Sequence, residues 1–139
     1  MPRNPKILLV DDESSIRLLF RTFLERAGFE VEEAEDGETA FVKIHKFDPD
    51  VILLDILMPV RTGNELVAEI KEWKPTIEII MVTGLASDEM KAECLAKGAF
   101  AVVNKPVVFE TLKSIIASAL QKKGIHLDGG GAELTPGSV

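Results

Sequence analysis

Cysteine is nearly absent from this chain: Cys94 is the only one among 139 residues, so no internal disulfide can form. A reducing, cytoplasmic setting is the expectation. Cys94 falls on a predicted helix among small and apolar residues, which reads as packing rather than a reactive thiol. Long apolar runs are missing too. None approaches the roughly 18 residues of a membrane span, and Met1-Pro2-Arg3-Asn4-Pro5 leads into a predicted strand rather than a signal peptide. Cations are outnumbered, 16 against 23 acidic residues, for a net charge of −7. That balance argues against this domain alone tracking a phosphate backbone; DNA binding would need another domain. Histidines number two, His45 at the end of a short predicted helix and His126 in a loose C-terminal stretch, and neither suggests a metal site. What remains in bulk is ordinary, 46% apolar and 28% charged, enough for one domain with its own core.

Five short apolar runs begin near residues 6, 29, 51, 77 and 99. Their spacing is that of a strand plus a crossover helix, so the chain reads as five βα units around a parallel sheet. The intervening segments carry helical periodicity: Ile16, Phe20, Phe23, Leu24 and Ala27 in the first, and Phe109, Leu112, Ile116, Ala119 and Leu120 in the last. Ala40, Phe41 and Ile44 mark a shorter helix, Leu66, Val67 and Ile70 another, and Ser87 to Lys97 the weakest. Gly28, Gly98 and Gly124 stand where the first, fourth and fifth helices should stop. The runs at Val51–Leu54 and Ile77–Val82 are nearly continuous, as strands covered on both faces should be. From Glu30 to Glu38 six of nine residues are acidic, which predicts a solvated edge strand. Residues 4–124 form the predicted domain and 125–139, rich in glycine, a flexible tail or linker.

The informative residues sit where the runs end. The first run stops at Asp11-Asp12, the third at Asp55, the fourth at Thr83, and the fifth at Asn104-Lys105. In a parallel sheet those ends lie together, so three carboxylates, a hydroxyl and an ammonium converge on the crevice where open α/β sheets bind ligands. Carboxylates about 4 Å apart repel by roughly 4 kcal/mol at an effective dielectric near 20. They need a cation or must take up protons, and hard oxygen donors with few protein ligands suit Mg²⁺.

In this order and placement the residues resemble the receiver domain of bacterial two-component response regulators. The resemblance runs from about Lys6 to Leu120 through Leu9-Val10-Asp11-Asp12-Glu13, Asp55-Ile56-Leu57-Met58-Pro59 with Gly63, Val82-Thr83-Gly84, and Gly98-Ala99 with Lys105-Pro106. It implies a flavodoxin-like doubly wound sheet of strand order 2-1-3-4-5. It also implies Mg²⁺ bound directly by Asp12 and Asp55, through water by Asp11, and by the backbone carbonyl of Leu57. Asp55 would be the phosphoacceptor, with Lys105 and Thr83 contacting the phosphoryl group. The donor would be a sensor histidine kinase or a phosphotransfer protein. Signalling would pass to a downstream partner or an effector domain, or through self-association on the face of helix four, strand five and helix five. Such a chain is no conventional enzyme: it catalyses its own phosphorylation and slow hydrolysis. The same resemblance suggests a cis Lys105–Pro106 peptide.

Two departures from the family pattern stand out, one at Val102 and one at Leu57 with Leu85. Val102 stands where receivers usually carry Tyr or Phe, and Phe100, two residues earlier, is read on the same strand face as part of an altered coupling. Phe100–Val103 is unusually apolar for an edge strand and reads as part of a partner surface. Leu57 and Leu85 flank the expected phosphoryl position without a group to hydrogen-bond an attacking water, which predicts slow hydrolysis. Other classes fit less well. A nucleotide or flavin module needs a Gly-rich or hydroxyl-rich loop after the first strand, whereas Asp11-Asp12-Glu13-Ser14 would repel phosphate. A haloacid-dehalogenase-type phosphatase needs Asp-x-Asp there. A phosphorelay intermediate or a receiver-like scaffold without switching remains the alternative.

Overall fold

The computed structural model describes residues 3–56, 58, 62–84 and 86–125. Five strands, β1 (Lys6–Val10), β2 (Glu30–Ala34), β3 (Val51–Asp55), β4 (Glu78–Thr83) and β5 (Ala101–Asn104), alternate with five helices. The helices are α1 (Ser14–Arg26), α2 (Gly37–Phe47), α3 (Gly63–Trp73), α4 (Asp88–Ala96) and α5 (Phe109–Lys122). All strand pairs are parallel, in the order β2-β1-β3-β4-β5. This is the expected doubly wound sheet, with the acidic β2 at one edge and β5 at the other.

Alternation along the strands divides the core in two. Leu8, Val10, Ile52, Leu54, Ile79 and Met81 face Ala40, Ile44, Leu66, Val67, Ile70 and Cys94 on one side. Ile7, Leu9, Val51, Leu53, Ile80 and Val82 face Phe20, Leu24, Leu112, Ile116 and Leu120 on the other. Side chains such as Leu8, Ile52 and Ile79 are wholly buried, each worth about 1.5–3 kcal/mol. Cys94 is buried in the first cluster with its thiol on Asn64 Oδ1 at 3.2 Å, and burial raises its pKa, as an inert packing residue requires.

β2 and β5 start later than their apolar runs suggest, for one physical reason. Gly28 and Gly98 adopt φ of 97° and 113°, and the next residue's N–H turns back to the helix just ended: Phe29 to Leu24 O and Ala99 to Cys94 O. Those residues belong to helix caps, not to strands. Phe100 then lies at a bend ahead of β5, outside the strand's alternation. It packs on the α1/α5 side with Lys122 Nζ 5.8 Å from its ring, whereas Val102 packs on the opposite side. Phe100 is therefore not on the same face as Val102.

At the amino ends of the strands, buried Asp50 takes two 2.7 Å bonds from the Arg3 guanidinium and one of 2.8 Å from Lys6 N–H. Burial alone would push its carboxyl up, but these donors hold it below the ordinary value. Lys123 donates to the Asp50 carbonyl at 3.1 Å, joining the end of α5 to the start of β3. No helix among the described residues is long and apolar enough to cross a membrane.

Candidate functional site

Strand register assembles the carboxyl-edge site. Val10 pairs with Leu54, so Asp11, one residue on, comes level with Asp55. Asp55 pairs with Val82, placing Thr83 one step beyond. Thr83 pairs with Asn104, and Lys105 N–H donates to the Thr83 carbonyl at 2.7 Å. Lys105 Nζ reaches back to Asp11 Oδ2 at 3.2 Å and Asp55 Oδ2 at 3.9 Å. Asp11, Asp12 and Asp55 each offer a carboxylate oxygen, and those oxygens all lie within 4.8 Å of one another. Five sequence-predicted residues thus meet at one sheet edge. Leu57, Leu85 and the stretch from 126 onward lie outside the described residues.

Neither aspartate of the first loop is a helix cap. Glu13 occupies that position without a side-chain cap, while Asp11 Oδ1 accepts the Glu13 N–H at 2.9 Å. Asp11 and Asp55 are each 7% exposed, and Asp12 is exposed. At 4.8 Å and an effective dielectric near 20, the buried Asp11–Asp55 pair repels by about 3.5 kcal/mol, and exposed Asp12 adds a weaker, solvent-screened share. Among the described residues Lys105 pairs with both Asp11 and Asp55, one charge shared between two carboxylates. The donor set is hard oxygen, two buried and one open to solvent, and it fits a divalent ion that keeps part of its water shell.

Thr83 is fully buried, and its Oγ1 has no hydrogen-bond partner among the described residues. A buried unpaired hydroxyl costs about 1–3 kcal/mol, so its position at a carboxylate-lysine site points to a ligand that uses it. On the opposite wall the amino end of α3 approaches closely. Gly63 N–H donates to Ile56 O at 2.8 Å, and a Cβ at Gly63 would sit 2.6 Å from Asp55 O and 2.8 Å from Ile56 Cα. The Lys105–Pro106 peptide is cis.

Arg17 is a residue that sequence reasoning passed over. Its Nη1 donates to the Asp11 carbonyl at 2.6 Å and its Nε to Glu33 Oε1 at 2.9 Å. Arg21 holds the other oxygen of Glu33 at 2.8 Å, and Lys43 pairs with Glu32 at 2.8 Å. Burial alone would raise the Glu33 carboxyl, but bonds from Arg21 and Arg17 hold it low and ionised. The acidic edge strand is therefore tied to both flanking helices, rather than merely solvated. No local signal marks Arg17, because its partners are a backbone carbonyl and a residue 16 positions away.

Comparison with known proteins agrees with this geometry. The family model described as response regulator receiver domain matches residues 7–117. The chain is 35% identical over 115 residues to the chemotaxis protein CheY of Halobacterium salinarum, covering 83% of this chain and 96% of that protein. It is 34% identical over 122 residues to the alkaline phosphatase synthesis transcriptional regulatory protein PhoP of Bacillus subtilis, covering 88% of this chain but 51% of that longer protein. A CheY-like receiver domain crystal structure from Methanospirillum hungatei superposes with a TM-score of 0.83 at 34% identity, covering 87% of this chain and 97% of the other.

Proposed function

The chain belongs to the response regulator receiver domain family, whose general function is a phosphorylation switch in two-component signalling, and we propose that its own switch is thrown at Asp55. The observation that carries this reading is the meeting of Asp55, Asp11, Asp12 and Lys105 at one edge, beside a buried Thr83 hydroxyl without a partner among the described residues.

Receiver domains bind Mg²⁺ at an acidic pocket, and here Asp11, Asp12 and Asp55 would hold it; the family resemblance adds the Leu57 carbonyl as a further ligand. Bound there, the ion would screen the carboxylates from an incoming anion and neutralise charge on the transferred oxygens. An Asp55 carboxylate oxygen attacks the phosphorus and the bond to the donor nitrogen breaks, leaving an aspartyl phosphate and a neutral histidine once that nitrogen takes a proton. Lys105 pairs with the phosphoryl oxygens once Asp55 has given up its charge to the new acyl phosphate. Thr83 donates its free hydroxyl to the same group. Leu57 and Leu85 bring no hydrogen-bonding side chain for a hydrolytic water, so we expect slow loss.

The donor we propose is a phosphohistidine on a sensor kinase or phosphotransfer protein. Leu18, Leu19 and Val108 are 65%, 54% and 65% exposed on α1 and at the N-cap of α5, and offer it an apolar footing. Output, including self-association, is assigned to the face of α4, β5 and α5. The chain spans about half or less of several longer relatives and nearly all of others; we read residues 4–124 as the receiver and 125–139 as a tail or linker. A cytoplasmic setting follows from this reading. Val102 favours one second reading, a relay domain that passes the phosphoryl group on without the aromatic swing.

Incubation with acetyl phosphate and Mg²⁺, followed by intact mass, tests the acceptor. The wild-type chain should gain one phosphoryl group and Asp55→Asn none; equal labelling of both would refute the assignment. Beryllofluoride-dependent change in size or partner binding would separate a switch from a relay.

A further inference from the structure

Asp11 lies just past the sheet, since the β1–β3 register ends at Val10 with Leu54. Its N–H is held by the Ala34 carbonyl at 3.2 Å, but its own carbonyl has left the ladder. A side chain meets it: Arg17 Nη1, at 2.6 Å. Arg17 is 14% exposed, and its Nε is braced at 2.9 Å by Glu33. Beneath this corner is a cavity of about 20 Å³, lined by Asp11, Asp55, Ile16, Arg17, Phe20 and Leu53. Asp11 thus lines a small cavity, and its carbonyl is held by a guanidinium.

We infer that Arg17, braced by Glu33, is a positioning residue for the acidic site: it fixes the peptide at Asp11 and so aims the Asp11 carboxylate. The inference rests on the acceptor reading above. A fork is needed because one planar group must satisfy a carbonyl and a carboxylate at once, and two donors at fixed angles do so. Lysine at this position keeps the charge but cannot span both partners in a fixed geometry. The two effects of losing Arg17 also oppose each other. Removing a cation near three carboxylates would raise Mg²⁺ affinity, whereas releasing the Asp11 peptide lowers it.

Arg17→Lys keeps the charge and removes the fork, so it reads positioning alone. Arg17→Ala combined with Glu33→Ala removes one charge of each sign and serves as a second variant of unchanged net charge. Arg21→Lys is the control, because Arg21 shares Glu33 but makes no contact with Asp11. Mg²⁺ affinity by calorimetry should fall about 10-fold in Arg17→Lys and in the double variant, the scale of lost outer-layer support in metal sites. It should stay within about twofold in Arg21→Lys. Half-saturating Mg²⁺ for acetyl phosphate labelling should rise in parallel, while the labelling rate at saturating Mg²⁺ returns close to wild type. A merely structural Arg17 would lower the melting temperature without moving Mg²⁺ affinity. Wild-type affinity in Arg17→Lys and the double variant overturns the positioning role. Failure of the wild-type chain to take label overturns the acceptor reading instead.

Discussion

Substituting Asp12 by Asn should make the metal-free protein more stable while disabling its site. Asp12 is exposed, so its repulsion from Asp11 and Asp55 is best taken at a water-like dielectric. At 4.8 Å each pair then costs about 0.9 kcal/mol, and Asn removes two such pairs, about 2 kcal/mol together. For a chain of this size that is a rise of about 8 °C in melting temperature. Magnesium should reverse the order. At 100 times its dissociation constant a ligand stabilises the protein that binds it by about 2.7 kcal/mol, a gain the Asn variant forgoes. Scanning calorimetry of both proteins, in chelator and in Mg²⁺, reads both effects. The difference in chelator should also shrink toward 1 M salt, where the screening length is about 3 Å. An Asn variant that melts no higher than wild type in chelator would show that the carboxylates are not in electrostatic conflict. Equal stabilisation of both by Mg²⁺ would mean that Asp12 is no ligand.

Gly63→Ala should cost about 1–3 kcal/mol in urea denaturation and slow labelling at Asp55, because its Cβ meets unyielding backbone at 2.6 and 2.8 Å. An unchanged urea midpoint would show that the amino end of α3 moves freely. Asp50 has a folded pKa below the ordinary 3.8, so its stabilising contribution is present above that value and lost as pH falls through the folded one. Asp50→Asn should therefore flatten stability against pH below about pH 4, where an unperturbed aspartate titrates. A parallel acid limb in the variant would remove the Arg3–Asp50 pair from the account.

How far the molecule was legible in its residues depends on the range of the forces involved. Strand and helix identity comes from periodicity, which is local, and all five units follow from it. Phe29 and Ala99 extend apolar runs yet fold into helix caps, because a positive-φ glycine lets their N–H groups return to the preceding helix. The same shift carried Phe100 out of strand alternation, to the opposite side from Val102. Cys94 was readable as packing, since only its neighbours along a helix were needed. Arg17 was not, because its role lies in two partners brought together by the β1–β2 pairing.

The order of residues determined that three aspartates, a threonine and a lysine would each stand at a strand's carboxyl end, since strand length and polarity are set by short-range pattern. Tertiary structure alone decided that Asp11 stands level with Asp55 and that Lys105 bridges them. It also left the Thr83 hydroxyl buried and unpaired among the described residues. Register between strands about 40 residues apart is settled by which faces find a core to bury. That competition is decided only when the whole sheet closes.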